Sequence, residues 1–288
     1  MVKKYYLETS TLRFLGNRLN YLKSEYVYFT SALAFVELLS AAKEDDRSYR
    51  AAKNIFNLLH SKNVEIIWSL PEQRICETFD YLSHEDDRID SLKEVVAIVG
   101  RSATHSEFLI EAGKCNSAYD LEFISTYDNQ YGVEFTKASI VGNKNIKAVH
   151  RKNSGQSIFS AEELKLPLKE FCHLLNTKYF DLNKSLTVWA FAQTLSTWLE
   201  VAPTEETIGK VYRSYNHKLH MFIVADTYYC TQMTGTQNHP GRNDFLDLSH
   251  FMYIDVQDVM VSNDVDVLTL ANTFEPGSGV KPDEVVSS

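Results

Sequence analysis

The first 85 residues alternate between short apolar segments and helical segments, and this alternation constrains the fold more than any other feature of the sequence. Segments 3–8, 26–29 and 64–68 have the length and the β-branched or aromatic content of short buried strands. A segment with helical character follows each of them. Strands that alternate with helices form a parallel sheet covered by helices on its faces. The sequence therefore predicts an α/β fold.

Capping residues indicate where the helices of this part begin. Thr9 or Ser10 is suited to cap a helix that runs to about Lys23, and Ser31 is suited to cap the strongly apolar helix after it. A third helix carries apolar residues at helical spacing from Tyr49 onward. Pro71 opens a fourth helix, because proline is tolerated in a first turn.

The same pattern returns near the end of the chain. Residues 244–253 predict a helix, residues 258–262 predict the last strand, and Asp264 precedes the last helix. The stretch from Pro276 is rich in Gly, Ser, Pro and acids, which is typical of a frayed tail.

The middle of the chain has a different character. One helix is predicted near residues 92–99, and polar residues then predict a loop. Beyond it the sequence is mostly helical, with a capping box at Ser160 and Glu163 and a break imposed by Pro167. We predict an α/β core formed by residues 1–85 and 234–275, a mostly helical insertion at 86–233 that continues this core, and a flexible tail at 276–288.

The composition of the chain bears on its expected cellular location and on the kind of partner it can bind. The four cysteines show no CxxC spacing, and no apolar run approaches the length of about 20 residues that a membrane helix needs. We expect reduced thiols, a cytoplasmic location, no signal peptide and no membrane partner. A net charge of -9 argues against a protein that coats nucleic acid by charge alone.

Acidic residues recur where a strand passes into a helix. Glu8 ends the first strand, Glu37 lies in the helix after the second, Asp264 follows the last strand, and Asp244 and Asp247 share one face of a helix. Ligands of parallel sheets bind at the carboxyl ends of the strands, where such acids converge. Clustered carboxylates need a cation, and oxygen ligands without thiolates select Mg²⁺ or Mn²⁺. Such a site can activate water against a phosphodiester.

Three segments carry a resemblance to the PIN-domain nucleases. They are YYLETSTLRFL, SALAFVELLSA and NDFLDLSHFMYIDVQDVMVSND, at the beginning and near the end of the chain. In that family, Asp followed by Thr or Ser ends the first strand, a Glu lies in the next helix, an Asp opens a later helix, and Thr-x-Asp or Thr-x-Asn ends the last strand. No single segment is specific, but their order and spacing together resemble the family.

The resemblance implies a fold, an activity and a set of site residues. The fold is a PIN-like parallel sheet of four to five strands flanked by helices, here enlarged by the helical insertion. The activity is metal-dependent cleavage of phosphodiesters, with RNA as the expected substrate. Glu8, Glu37, Asp247 and Asp264 are implied as the acidic quartet that holds Mg²⁺ or Mn²⁺, with Ser10 and Ser262 as supporting hydroxyls.

Several of these residues have a second interpretation. Position 8 is Glu where the family has Asp, and Glu8 can also serve as a helix cap, as can Asp264. Asp244 is either a fifth metal ligand or a group that supports Asp247. His250 either orients a substrate phosphate or is a structural histidine.

Basic residues provide weaker candidates for contacts with nucleic acid. Arg13 lies near the start, and Lys144, Lys147, Arg151 and Lys152 lie within one polar segment. Phosphate contacts require such cations, but the segment at 144–152 is equally well described as a solvated loop. A homodimer or a regulatory protein partner is left open.

Two other functions remain as alternatives. An aspartyl-phosphate phosphatase needs Asp-x-Asp after the first strand, and this chain has Leu7-Glu8-Thr9-Ser10 there. The second alternative is a PIN-like scaffold with a degraded site, which would act as a binding or regulatory module.

Overall fold

The chain is described by a computed structural model and divides into two compact units. One unit contains Met1–Asp128 and Val256–Ser288, and the other contains Asn129–Asp255. The structure describes residues 3–78, 87–115, 122, 124, 127, 159–160, 162–181, 184–185, 188, 204–214, 219, 221–222, 225 and 244–287. The domain boundaries given above stay a prediction.

The first unit contains the strands, and its helices lie between and beyond them. In chain order its elements are β1 Lys4–Leu7, α1 Thr9–Leu15, a 3-10 helix Gly16–Tyr21, β2 Val27–Ser31, α2 Ala32–Glu44, α3 Asp46–Ser61, β3 Glu65–Ile67, α4 Pro71–Thr78, α5 Asp87–Arg101 and α6 His105–Ala112. After the second unit follow β4 Val259–Val261, a helix Val265–Phe274, β5 Gly279–Val280 and a 3-10 helix Pro282–Val285.

Five parallel strands form one sheet in the order β3-β2-β1-β4-β5. This arrangement, flanked by helices, confirms the α/β class. The chain first builds outward from β1 through β2 to β3, and later continues on the other side of β1 with β4. Tyr6 is level with Met260, and Leu7 with Val261. Ligands of open α/β sheets bind at such a reversal of strand order, outside the carboxyl ends of the strands.

The central strands are buried on both faces. Tyr6, Leu7, Met260 and Val261 have no exposed surface, as expected for a parallel sheet covered on both sides. This burial fixes the strand positions, and therefore fixes where the residues that follow the strands lie.

The helices of this unit begin largely where the sequence indicates. The Ser31 hydroxyl accepts a hydrogen bond from the Ala34 amide and caps α2, as predicted. Pro71 opens α4, as predicted. The first helix, in contrast, ends at Leu15 and not near Lys23, because Gly16 adopts φ +48° and terminates it.

The stretch after Pro276, for which the sequence predicts a flexible tail, forms the edge strand β5 and a 3-10 helix. Val280 pairs with Val261, and Val286 forms a bridge with Leu22. Val285 is buried. These pairings hold the segment against the sheet.

The second unit is helical in the part that the structure describes. Its elements are a 3-10 helix Glu163–Lys165, α7 Leu168–Asn176, α8 Glu205–Ser214, α9 Asp244–Ser249 and a 3-10 helix His250–Tyr253. The helix of the first unit at Val265–Phe274 is α10. Ser160 and Glu163 form both hydrogen bonds of the predicted capping box, and Pro167 separates the 3-10 helix from α7.

The helices give no indication of a membrane-spanning segment. Among those that the structure describes, none has both the length and the apolar character that crossing a bilayer requires.

Candidate active site

Glu8 follows β1 and caps α1 with a buried carboxylate. Only 5% of the residue is exposed. Its carboxylate accepts hydrogen bonds from the amides of Ser10 at 2.6 Å and Thr11 at 3.2 Å, and from the Ser10 hydroxyl. The positive end of the helix dipole also stabilises a negative charge at this position. These interactions offset the cost of burying a carboxylate, so Glu8 is fixed in place.

Asp264 occupies the corresponding position after β4 and caps α10. Its Oδ1 accepts hydrogen bonds from the amides of Asp266 at 2.7 Å and Val267 at 3.1 Å. Its own amide donates to the Ser262 hydroxyl at 2.9 Å. The side chain is exposed, and no residue in the described ranges donates a hydrogen bond to Oδ2. The cap of α10 therefore uses only Oδ1 of Asp264.

Hydroxyl groups join these two strand ends. The Ser10 hydroxyl donates to Glu8 and accepts from the Asn263 amide at 3.3 Å. The Thr11 hydroxyl donates to the Val261 carbonyl at 2.7 Å. The start of α1 is thereby tied to the end of β4, which places Glu8 and Asp264 on the same edge of the sheet.

Glu37 joins this edge from α2. The Thr9 hydroxyl donates a hydrogen bond to Oε2 of Glu37, and Thr9 directly follows Glu8. Glu37 is half-buried, and Thr9 is buried. The Glu37 carbonyl accepts a second bond from α1, from Nη2 of Arg13 at 2.9 Å. Two residues of α1 that lie one turn apart therefore hold Glu37.

The pKa of a buried tyrosine, Tyr6, is affected by the charges of both glutamates. Tyr6 is fully buried, and its hydroxyl lies 2.6 Å from the Ser31 hydroxyl. Burial raises the pKa of Tyr6 well above its usual value, the bond with Ser31 opposes this rise, and the negative charges of Glu8 and Glu37 add to it. The charge state of Tyr6 is therefore linked to that of both carboxylates.

The first unit thus places three of the predicted acids, Glu8, Glu37 and Asp264, at one edge of the sheet, with the predicted hydroxyls of Ser10 and Ser262. Asp244, Asp247 and His250 belong to the second unit. There α9 begins at Asp244, Asp247 is half-buried, and His250 is buried in the following 3-10 helix. Lys144, Lys147, Arg151 and Lys152 lie outside the described residues.

The sequence interpretation missed the residues that support these acids. Thr9, for which the sequence predicts a capping role, contacts Glu37 instead, and the cap of α1 is Glu8, as the second interpretation of that residue predicts. Tyr6, Thr11 and Asn263 were not singled out. The run of three hydroxyl residues after Glu8 is the one signal that pointed to a hydrogen-bonded carboxylate at this position.

The donor chemistry of the three acids fits a hard divalent cation. All of their side-chain donor atoms are carboxylate oxygens, which suit Mg²⁺ or Mn²⁺. In the described part of the chain, no group of three or more His, Cys, Asp or Glu side chains is close enough to hold a metal ion in common. The acids are engaged instead by helix amides and hydroxyl groups.

The chain was also compared with known proteins. No protein-family model, no curated protein and no solved structure matches it. The function proposed below therefore rests on the geometry of this edge of the sheet and on the resemblance of the three sequence segments.

Proposed function

We propose that the chain is a PIN-like, metal-dependent nuclease that cleaves phosphodiester bonds within RNA. One observation carries the proposal. Glu8 and Asp264 follow the two strands at which the strand order reverses, and Glu37 is hydrogen-bonded to the residue next to Glu8. This is the edge where parallel sheets bind their ligands, and its acids are those implied by the resemblance.

Glu8, Glu37 and Asp264 are the residues of the first unit that would hold Mg²⁺ or Mn²⁺. The roles of Asp247 and Asp244, which the resemblance implies, stay a prediction. A bound ion of this kind supplies Lewis-acid activation of water and stabilisation of phosphoryl charge. The chain's own residues place the charges. Ser10 holds Glu8, Thr9 holds Glu37, and the Ser262 hydroxyl holds the backbone of Asp264.

A specific observation supports the second candidate, a PIN-like scaffold without catalytic activity. Both oxygens of Glu8 accept hydrogen bonds from α1, and Asp264 caps α10. Acids that serve as helix caps stabilise the fold without a metal ion. Under this alternative the same residues hold the sheet edge together, and function lies elsewhere in the chain.

Thermal stability with and without Mn²⁺ distinguishes the two candidates. A cation that binds the native acids stabilises the folded state by mass action, by about 2.7 kcal/mol when its free concentration is about a hundred times its Kd. The nuclease proposal expects a rise in Tm with millimolar Mn²⁺ and a return to the starting value with EDTA. An unchanged Tm favours the scaffold.

Activity is tested with labelled single-stranded and structured RNAs in Mn²⁺, in Mg²⁺ and in EDTA. Cleavage that requires the metal supports the proposal. No cleavage of any substrate in either metal contradicts it.

A further inference from the structure

We propose that Arg13 binds the RNA phosphate next to the one that is cleaved, and so makes the site selective for a strand over an isolated phosphodiester. The inference rests on the proposed function and names a substrate contact for the same site.

Arg13 is held beside the acidic edge by α1. Thr9 and Arg13 lie one helical turn apart, and both contact Glu37, the first at the carboxylate and the second at the carbonyl. A turn of helix advances the chain by about 6 Å over four residues. The Arg13 guanidinium is therefore anchored to the backbone of Glu37, and Arg13 lies one turn along α1 from the residue that contacts the Glu37 carboxylate.

Arg13 forms no ion pair within the part of the chain that the structure describes. Its side chain is exposed. The nearby Arg18 differs, because it forms an ion pair with Asp283 at 2.6 Å. A guanidinium has five N–H donors, and the bond to Glu37 uses one of them. No hydrogen bond of the other donors is seen to the described residues, so they can bind an anion.

The chemistry of an acidic site explains why such a cation is needed. Carboxylates repel a polyanionic strand, and the chain as a whole has a net charge of -9. A strand with one phosphodiester at the carboxylates has a further phosphate on either side. The planar guanidinium is suited to bidentate contact with that neighbouring phosphate, so Arg13 offsets repulsion at the point where the strand passes α1.

The first test measures binding without cleavage. A fluorescein-labelled single-stranded RNA is titrated in EDTA at several salt concentrations with the wild type, with Arg13→Ala and with Arg50→Ala. Arg50 is the matched control, because it is an exposed arginine on α3 already paired with Asp46. Arg13→Ala is expected to weaken binding about tenfold and to reduce the salt slope by about 0.7, and Arg50→Ala to change neither.

The second test compares two substrates in Mn²⁺. Bis(p-nitrophenyl) phosphate is a single phosphodiester without a neighbouring phosphate. Arg13→Ala is expected to lower kcat/KM for RNA more than for this small ester. An equal loss on both substrates would show that Arg13 acts only through Glu37, and would overturn the phosphate contact.

The two tests also separate this inference from the nuclease proposal. RNA binding that depends on Arg13, together with no hydrolysis of either substrate, supports the contact and contradicts the nuclease. Equal RNA binding by Arg13→Ala and Arg50→Ala, or no binding by the wild type, overturns the inference.

Discussion

Glu8 caps a helix and also supplies a carboxylate at the edge of the sheet. Ser, Thr, Asp and Asn are the usual capping residues. The longer Glu side chain still reaches the amides of Ser10 and Thr11. A Glu at this position, where the PIN family that the sequence resembles has Asp, is therefore compatible with a fixed carboxylate.

Two substitutions of Glu8 separate the cap from the charge. Glu8→Ala removes both, and we expect it to lower the free energy of unfolding by about 1–2 kcal/mol. Glu8→Gln keeps an acceptor for the helix amides, so it should cost less stability than Glu8→Ala while removing the charge needed for a metal. Urea denaturation measures both values. Wild-type stability in Glu8→Ala would contradict the capping role.

Tyr6 makes the stability of the fold depend on pH in the alkaline range. Its pKa is higher in the folded chain than in the unfolded chain, mainly because it is buried. A raised pKa contributes stability that is complete below the unfolded pKa of about 10 and is lost as pH rises above it.

We expect the free energy of unfolding to fall more steeply above about pH 10 in the wild type than in Tyr6→Phe. Tyr5, Tyr28 and Tyr49 also have raised pKa values, so a shallower decline should persist in the variant. Denaturant titrations across this pH range provide the measurement. Parallel curves for the two proteins would show that Tyr6 is not the group responsible.

At the scale of elements, the sequence predicted those parts of the fold whose signals are local. The apolar spacing of α3 and the hydroxyl of Ser31 are readable from neighbouring residues, and both match the structure. Gly16 is a local signal for the end of α1, because glycine adopts a positive φ readily, and the structure shows φ +48° there. β5 had no local signal, because a two-residue strand is defined by its pairing with Val261.

The candidate site likewise has some features with local sequence signals and others that only long-range contacts define. The acids themselves could be located because each follows or lies beyond a strand. The support given by Thr9 to Glu37 could not, because these residues are 28 positions apart and meet only when α1 packs against α2. Long-range hydrogen bonds of this kind depend on the order of strands in the sheet, which periodicity does not specify.

The capping box formed by Ser160 and Glu163 predicts that the folded state loses stability in acid. Lys178 at 2.6 Å, the Ser160 amide and Tyr179 together lower the pKa of Glu163 to about 2. A lowered pKa contributes stability that is present above the unfolded value of about 4.3 and is lost as pH falls toward 2.

Glu163→Gln should therefore lose less stability than the wild type when the pH is lowered from about 4.5 to about 2. The far-ultraviolet circular dichroism signal under denaturant reports the change. Ser160→Ala removes the hydroxyl partner of the box and retains the Glu163 carboxylate, so it should keep the acid dependence. A wild-type acid profile in Glu163→Gln would contradict the assignment.

At the scale of the whole molecule, the proposed active site lies at a sheet edge where two of the acids, Glu8 and Asp264, also cap helices. A mixed role has a practical consequence for experiments, because many substitutions would change stability and activity together. Asp264 offers a way around this. Asparagine is as good a helix cap as aspartate. Asp264→Asn therefore removes a charge while the N-terminus of α10 keeps its capping hydrogen bonds.

The most direct measurement is the rate of metal-dependent RNA cleavage by the wild type, by Asp264→Asn and by Asp266→Asn. Asp266 lies in the first turn of α10, two residues after Asp264. Asp266→Asn removes the same charge, so this variant is the matched control. The account predicts that Asp264→Asn cleaves at least about a hundredfold more slowly, as when a group that stabilises transition-state charge is removed, and that Asp266→Asn cleaves at the wild-type rate. Equal cleavage by all three proteins would contradict the placement of the active site at this edge.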